Sequence, residues 1–347
     1  MNKKIWFMEG LSSQRDIIQG VKSFAQKNNF AITVFASHRN ERHEILSVAD
    51  YSLTEPEDPQ KRLQFIQETI QTYGIHHIHT GRNSQWFEEH RSAIESTGAT
   101  LTTGATGVDW LTLADEKVTF AQFMEQNGLP VVPSWRVNTL AELKTHLAAP
   151  PFSDSPVCVK PVTVSMAWDS GALMTVLRHG VFNHPEIVWS VRNSILQQHR
   201  LLSRLNPCLM PYCRPGIFVD ILADKGEILA PWDAVRKGLS SIGNEGSAWE
   251  LACDCARVMK ADGLVNVQTR NDVNGNPVLL ETNMRPSGGV GYTLHSGVNL
   301  PGLFAAFKLG LMSEDAVIQS ARNTFSPVAV RSIKMSSFTG SLSNHLN

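Results

Sequence analysis

The sequence predicts an α/β protein, and three observations carry that prediction. Strand-like and helix-like patterns alternate over residues 1–105, two apolar runs flank Asn274-Gly275 further on, and 42% of the 347 residues are hydrophobic with a formal net charge of −1. Alternation implies a doubly wound parallel sheet. Asn-Gly between apolar runs is a strong hairpin signal. The length accommodates two or three domains, and the composition is that of a soluble globular chain.

The first block, residues 1–105, opens with a strand over Lys4–Met8, then a helix over Ser12–Asn28 with Val21 and Phe24 on its apolar stripe, then a strand over Ala31–Ala36. The same logic repeats as a helix over Pro59–Tyr73, a strand over Ile75–His79 and a helix over Trp86–Ser96. The turn Glu9-Gly10-Leu11-Ser12-Ser13 has no Gly-x-Gly-x-x-Gly, which disfavours dinucleotide binding. His77 and His79 share a strand face without a visible third ligand, so they read as polar strand-end residues. Arg82 follows at the carboxyl edge of a parallel strand, where such folds bind ligands, and is a candidate for a substrate anion.

The second block, residues 106–205, begins with a helix over Lys117–Asn127 that Gly128 stops. Its Pro/Ser/Asp-rich stretch 150–156 is a surface loop. The third, residues 206–335, holds a strand from Pro207, a helix over Ala248–Asp262, the Asn-Gly hairpin, a helix after Pro301 and a last strand over Val328–Lys334. Residues 336–347, rich in Ser and Asn, read as a frayed tail.

Charge balance of −1 gives no footing for a charge-driven nucleic-acid or membrane-surface partner. The apolar run Ile5–Met8 is too short for a signal peptide, and no stretch approaches a membrane span. Five cysteines without a Cys-x-x-Cys pair make neither a disulfide framework nor a zinc site, so they read as buried or incidental thiols in a reducing, cytoplasmic compartment.

The most informative stretch runs from Val265 to Gln268 and from Leu280 to Arg285. If Asn274-Gly275 forms a two-residue type I′ tip, Val273 pairs with Asn276 and the count inward sets Gln268 opposite Glu281. Asn283 then projects from the face of Glu281. Three oxygen-bearing side chains converge, which suits a hard cation such as Mg²⁺. Arg285 leaves the strand beside them, where a guanidinium grips phosphate. A bulge would shift this register by one. An ordinary edge hairpin with its polar residues facing water is the alternative.

Glu281-Thr282-Asn283-Met284-Arg285-Pro286-Ser287-Gly288-Gly289 resembles the acidic metal-binding signature of the ATP-grasp superfamily, in the branch of carbamoyl-phosphate synthetase, biotin carboxylase and carboxylate–amine ligases. The resemblance extends upstream over residues 105–330, through Val157–Val162 with Lys160, through Asp115-Glu116-Lys117 and through Pro207–Leu229. It implies a pre-ATP-grasp α/β domain at 1–105, an ATP-grasp subdomain with a central lid at 106–205 and a second subdomain carrying the metal hairpin at 206–335. It implies Gln268, Glu281 and Asn283 as ligands of Mg²⁺ or Mn²⁺, and Lys160 and Arg285 as catalytic groups on the phosphates. Lys117, Lys160, Met210, Pro211, Tyr212 and Arg236 would bind ATP, and Ser287, Gly288 and Gly289 would meet the substrate. Two departures stand out: the lid stretch Thr163–Gly171 has only one glycine, and no acidic residue precedes Asp220 in the hinge.

The activity implied is an ADP-forming ligase that joins a small-molecule carboxylate to an amine through an acyl-phosphate, in a cytoplasmic protein; many relatives are dimers, so a homodimer is one of the oligomeric states left open. Two alternatives stay open. A degenerate site would make the chain a nucleotide-binding sensor or scaffold. Phosphorylation of bicarbonate or carbamate would call for a biotin-domain or ammonia-delivery partner.

Overall fold

The computed structural model describes residues 2–11, 13–139, 141–142, 145–146, 152, 157–163, 207–237, 239–243 and 245–330. Its contacts gather into two compact units, Met1–Thr102 with Ala234–Gly243 and Gly288–Asn347, and Thr103–Asp233 with Asn244–Ser287.

The first unit is built on β1 (Lys3–Met8), α1 (Gln14–Asn28), β2 (Ile32–His38), α2 (His43–Leu46), β3 (Tyr51–Thr54), α3 (Pro59–Tyr73), β4 (His77–Thr80), α4 (Ser84–Glu89), α5 (Arg91–Glu95) and β5 (Thr100–Thr102). The five strands pair in the order β3-β2-β1-β4-β5, all parallel. The predicted doubly wound sheet is therefore present. Side chains alternate across it: Trp6, Met8, Phe35 and Ile78 bury against Ile66 and Ile70 of α3, Phe87 of α4 and Ile94 of α5. Each such side chain contributes about 1.5–3 kcal/mol on leaving water.

Local chemistry sets the helix ends. Asp58 caps α3 by accepting the Lys61 N–H at 2.9 Å, Pro59 supplies the first helical φ, and Gly74 closes the helix at φ +64°. The helix expected over Trp86–Ser96 is instead two short helices broken at His90, whose φ of −105° leaves the helical region. His77 and His79 are not strand-end residues in water. They are 1% and 3% exposed, bonded to Thr100 and Thr102 and packed on Phe304, so burial holds both well below the usual imidazole pKa.

The second unit opens with β6 (Gly104–Ala105), α6 (Val108–Asp115), α7 (Lys117–Gln126) and β7 (Trp135–Arg136). Then come β8 (Val157–Pro161), β9 (Pro207–Pro211), β10 (Arg214–Asp224) and β11 (Glu227–Lys237), whose last four residues are counted with the first unit. β12 (Leu239–Gly243) also belongs to the first unit; α8 (Ser247–Val258), β13 (Ala261–Asn271) and β14 (Pro277–Asn283) complete the second. α8 stops short of the expected Asp262 because Lys260 turns left-handed at φ +53° and β13 begins at once. Cys253 and Cys255 of α8 are both buried, the latter at 0% exposure.

Within the second unit β14, β13, β10 and β11 are successive neighbours, and β6 pairs with the start of β13. β7, β9 and β8 form a separate antiparallel sheet. The chain ends, as described, in α9 (Leu300–Lys308), α10 (Glu314–Thr324) and β15 (Val328–Val330), which pairs with β12 in the first unit. Of the last predicted strand, residues 331–334 lie outside the described residues, as does the tail 336–347.

Candidate active site

The hairpin β13–β14 sets Gln268 directly opposite Glu281 and Asn266 opposite Asn283. That is the expected register, reached by a different route. The tip is five residues long, with Asn271 paired to Pro277. Asp272 closes it: one carboxylate oxygen accepts the N–H of Asn274 at 2.9 Å and of Asn276 at 2.8 Å. Gly275 alone takes a positive φ, +90°, whereas a type I′ turn needs two. The longer tip shifts the pairing by one residue. A bulge between Gln268 and Thr269 shifts it back, and the two displacements cancel at the polar face.

That face is wider than the three residues named from the sequence. Asp220 of β10, Asn266 of β13 and Asn283 of β14 lie in one cross-strand row, and Phe218, Gln268 and Glu281 in the next. Val267 and Thr282 point the other way and are buried. Asp220, 2% exposed, takes the Ser287 N–H at 2.7 Å and hydroxyl at 2.6 Å on its two oxygens, and Asn266 donates to it at 3.3 Å. It thereby pins the chain just past Arg285. The sequence held a signal for Asn266, which stands two before Gln268 and shares its face by the period of a strand, and none for Asp220 on its separate strand.

The basic groups arrive from α7 and β8. Glu116 caps α7 by accepting the Thr119 N–H at 2.6 Å and holds Arg136 at 2.5 Å. The Lys117 N–H donates to Val162 O at 3.0 Å, tying the first turn of α7 to the end of β8. The Lys117 side chain, 7% exposed, reaches Glu281 with Nζ 3.5 Å from Oε2. Lys160 pairs in register with Cys208 of β9, and the charges of both lysines act on that buried thiol, whose pKa burial pushes up to about 11. Burial raises the pKa of Asp115, with Lys117 and Arg285 opposing it. Lys117, Glu281, Asp115 and Arg285 therefore share one electrostatic neighbourhood. Gly104 keeps the start of that turn close: at φ +103°, a Cβ there would sit 2.2 Å from Met284 O.

Met210 is buried with Val118, Val132, Val162, Cys208 and Leu280, while Pro211 is half-buried and Tyr212 is 40% exposed. Gly288 and Gly289 belong to the first unit and lead into the 3-10 helix Val290–Ser296. Arg82 is exposed, also in the first unit. The Arg236 side chain and residues 164–171 of the lid stretch lie outside the described residues.

A Mg²⁺ site is tested by the donor set. No group of three or more His, Cys, Asp and Glu occurs among the described residues, so a site made wholly of such ligands is absent from them. Gln268, Glu281 and Asn283 offer oxygens only, the Gln268 and Asn283 side chains make no hydrogen bond among the described residues, and Asn266 Oδ1 is buried without a partner. One carboxylate with amide oxygens suits a hard dication that brings phosphate oxygens with it. The residues fit a metal carried on a nucleotide.

Residues 208–334 match the family ATPgrasp_Ter, described as ATP-grasp in the biosynthetic pathway with Ter operon. No curated protein sequence matches this chain. Among solved structures, an ADP complex of N5-carboxyaminoimidazole ribonucleotide synthetase aligns with a TM-score of 0.65 at 14% identity, covering 94% of this chain and 81% of that one. The L-amino acid ligase of Bacillus licheniformis aligns at 0.60 and 15% identity, over 94% and 78%. The biotin carboxylase domain of the Hydrogenobacter thermophilus 2-oxoglutarate carboxylase, solved with MgADP, ADP and bicarbonate, aligns at 0.56 and 17% identity, over 88% and 70%. The fold is that of the ATP-grasp enzymes, with a parallel five-stranded sheet at its N-terminal end.

Proposed function

We propose that this chain is an ADP-forming ATP-grasp ligase that activates a small-molecule carboxylate as its acyl-phosphate and passes it to an amine. The observation that carries this is Lys117 Nζ 3.5 Å from the Glu281 carboxylate, on a strand face where Gln268 stands opposite Glu281 and Asn283 follows it. A lysine ammonium and a patch of oxygen-bearing side chains occur together there, which supports that reading.

A carboxylate is a poor electrophile because its charge repels nucleophiles. Phosphorylation replaces that charge with a leaving group: a carboxylate oxygen attacks the γ-phosphorus and ADP departs. Lys117, Lys160 and Arg285 supply positive charge toward the three oxygens of the group in transfer. Glu281, Gln268 and Asn283 would hold Mg²⁺, which when bound would supply positive charge against the phosphates. Asp220 holds Ser287 and so fixes the exit of the Arg285 turn. The amine then attacks the acyl carbon, phosphate leaves, and the new amide nitrogen loses its proton.

A second reading has its own support. Several similar structures carry the name N5-carboxyaminoimidazole synthetase or synthase, one of them in complex with ADP and 5-aminoimidazole ribonucleotide. On this second reading the chain would phosphorylate bicarbonate and pass the carboxyl group to an amine on a free small molecule.

The test is ADP release from Mg²⁺-ATP against pools of amino acids and small carboxylates, with and without bicarbonate, and with Glu281→Gln as the blank. Turnover that depends on one acid–amine pool, persists in CO₂-free buffer and vanishes in the variant supports the ligase. Turnover that requires bicarbonate and one amine supports carboxylation. ATP binding without turnover in any pool overturns both in favour of a sensor.

A further inference from the structure

The polar groups left unsatisfied by the first unit concentrate at the carboxyl edge of its parallel sheet. Of the five buried side-chain atoms without a hydrogen-bond partner among the described residues, Gln14 Oε1, His38 Nε2 and Glu55 Oε2 all lie there. The edge includes the switch point of the strand order, where β1 is flanked by β2 on one side and β4 on the other. In doubly wound sheets that crevice is where ligands bind. Gly81 and Gly10 let the two strand ends close up, since a Cβ on Gly81 would stand 2.7 Å from the Gly10 Cα.

The crest is held rigidly by Glu9. It takes a left-handed φ of +48°, and both its carboxylate oxygens are engaged. Arg39 grips them through Nε and Nη2, and Asn83, itself at φ +55°, donates to Oε2 at 2.7 Å. Two non-glycine residues in that region store backbone strain of the kind that clusters at binding sites.

His38, 4% exposed, is the group this scaffold surrounds. Its Nδ1 accepts the Asn40 N–H at 2.9 Å, so the ring proton resides on Nε2, and that donor meets no acceptor. Leaving a buried donor unpaired is costly, because its hydration is lost and nothing replaces it. Burial keeps the ring neutral, and the charges of Arg42, Arg82 and Arg39 act in the same sense against Glu9. Arg39 is matched by Glu9 and Arg42 by Glu44, whereas exposed Arg82 makes no hydrogen bond or ion pair among the described residues. A buried neutral N–H donor and an uncompensated guanidinium thus stand at one strand edge.

We infer that this edge is a binding site for a compact oxyanion, a phosphate ester or a carboxylate, with His38 Nε2–H and Arg82 as its donors and Glu9, Arg39 and Asn83 as its frame. The site requires no nucleotide, so it can fail while the ligase reading stands, and the reverse.

The experiment uses the full chain without ATP. The ¹⁵N signals of His38 are followed while inorganic phosphate, glycerol phosphate and acetate are titrated in turn, in wild type, Arg82→Ala and His38→Gln. Arg82 is exposed, so its variant keeps the fold, and the wild-type titration needs no variant. Saturable movement of the His38 Nε2 signal, with affinity at least tenfold weaker in Arg82→Ala, is the expected result; whether the phosphates or acetate bind tighter names the source. A His38 signal that none of the three anions moves, or an affinity indifferent to Arg82→Ala, overturns the proposal and leaves the Nε2 proton to a bound water.

Discussion

The crest of the first unit and the polar face of the second treat a carboxylate in opposite ways. Glu9 is 1% exposed and bound on both oxygens by Arg39 and Asn83, so it is a structural strut. Glu281 is partly exposed, and among the described residues its one ion pair is Lys117 at 3.5 Å and its neighbours Gln268 and Asn283 are uncommitted. An ion pair at that distance contributes on the order of 1 kcal/mol. A saturated carboxylate builds a frame, whereas a lightly held one remains open to a cation from outside.

The largest effect expected from this contrast is at Glu281. Glu281→Gln should lower ATP turnover by about 10²–10³-fold, the scale of losing one group that stabilises transition-state charge. Its melting temperature should stay near wild type, because the residue is no strut; ADP release and a thermal melt measure the two sides. A variant that unfolds rather than idles would erase the distinction.

Next comes Glu55, beside the Glu9 frame, whose pKa burial raises to about 7. Between about 4.5 and 7 the native carboxyl keeps a proton that the unfolded chain has released. Stability from this group is therefore complete below about 4.5 and lost as pH rises through 7, by about 3 kcal/mol in all. Denaturant unfolding at pH 5 and pH 8 should show that loss, and Glu55→Gln should flatten it. A slope unchanged in the variant would assign it to another group.

Asp220 tests whether the open face also has a strut. Asp220→Asn replaces an acceptor of the Ser287 N–H and hydroxyl and should cost about 1–3 kcal/mol in chemical denaturation. The smallest effect is at the hairpin tip. Gly275→Ala forces a side chain onto a left-handed backbone and should cost about 1 kcal/mol, with turnover unchanged. Lost turnover there would mean that the tip, and not the bulge, holds Gln268 opposite Glu281.

How much was legible differs between the same two regions. Alternating patterns gave the parallel sheet and most of its helices, because a helix must bury one stripe and a strand one face. The break at His90 and the short edge strand Tyr51–Thr54 went unseen, since neither carries an apolar period of its own. At the hairpin, the pairing of Gln268 with Glu281 was legible only because a longer tip and a bulge offset one another. Asn266 carried a period-2 hint and Asp220 none, and neither carried a local signal of its partners, which come from other strands and from Ser287.

By itself the sequence determined the α/β class, the order of the elements and the oxygen-rich patch on β14, because periodicity and turn chemistry act over a few residues. Only the tertiary structure decided that Lys117 reaches Glu281, that Asp220 holds Ser287, and that His38 is buried with an unpaired proton beside Arg82. Those facts depend on segments from 44 to 164 residues apart meeting in space, and no local pattern encodes that meeting.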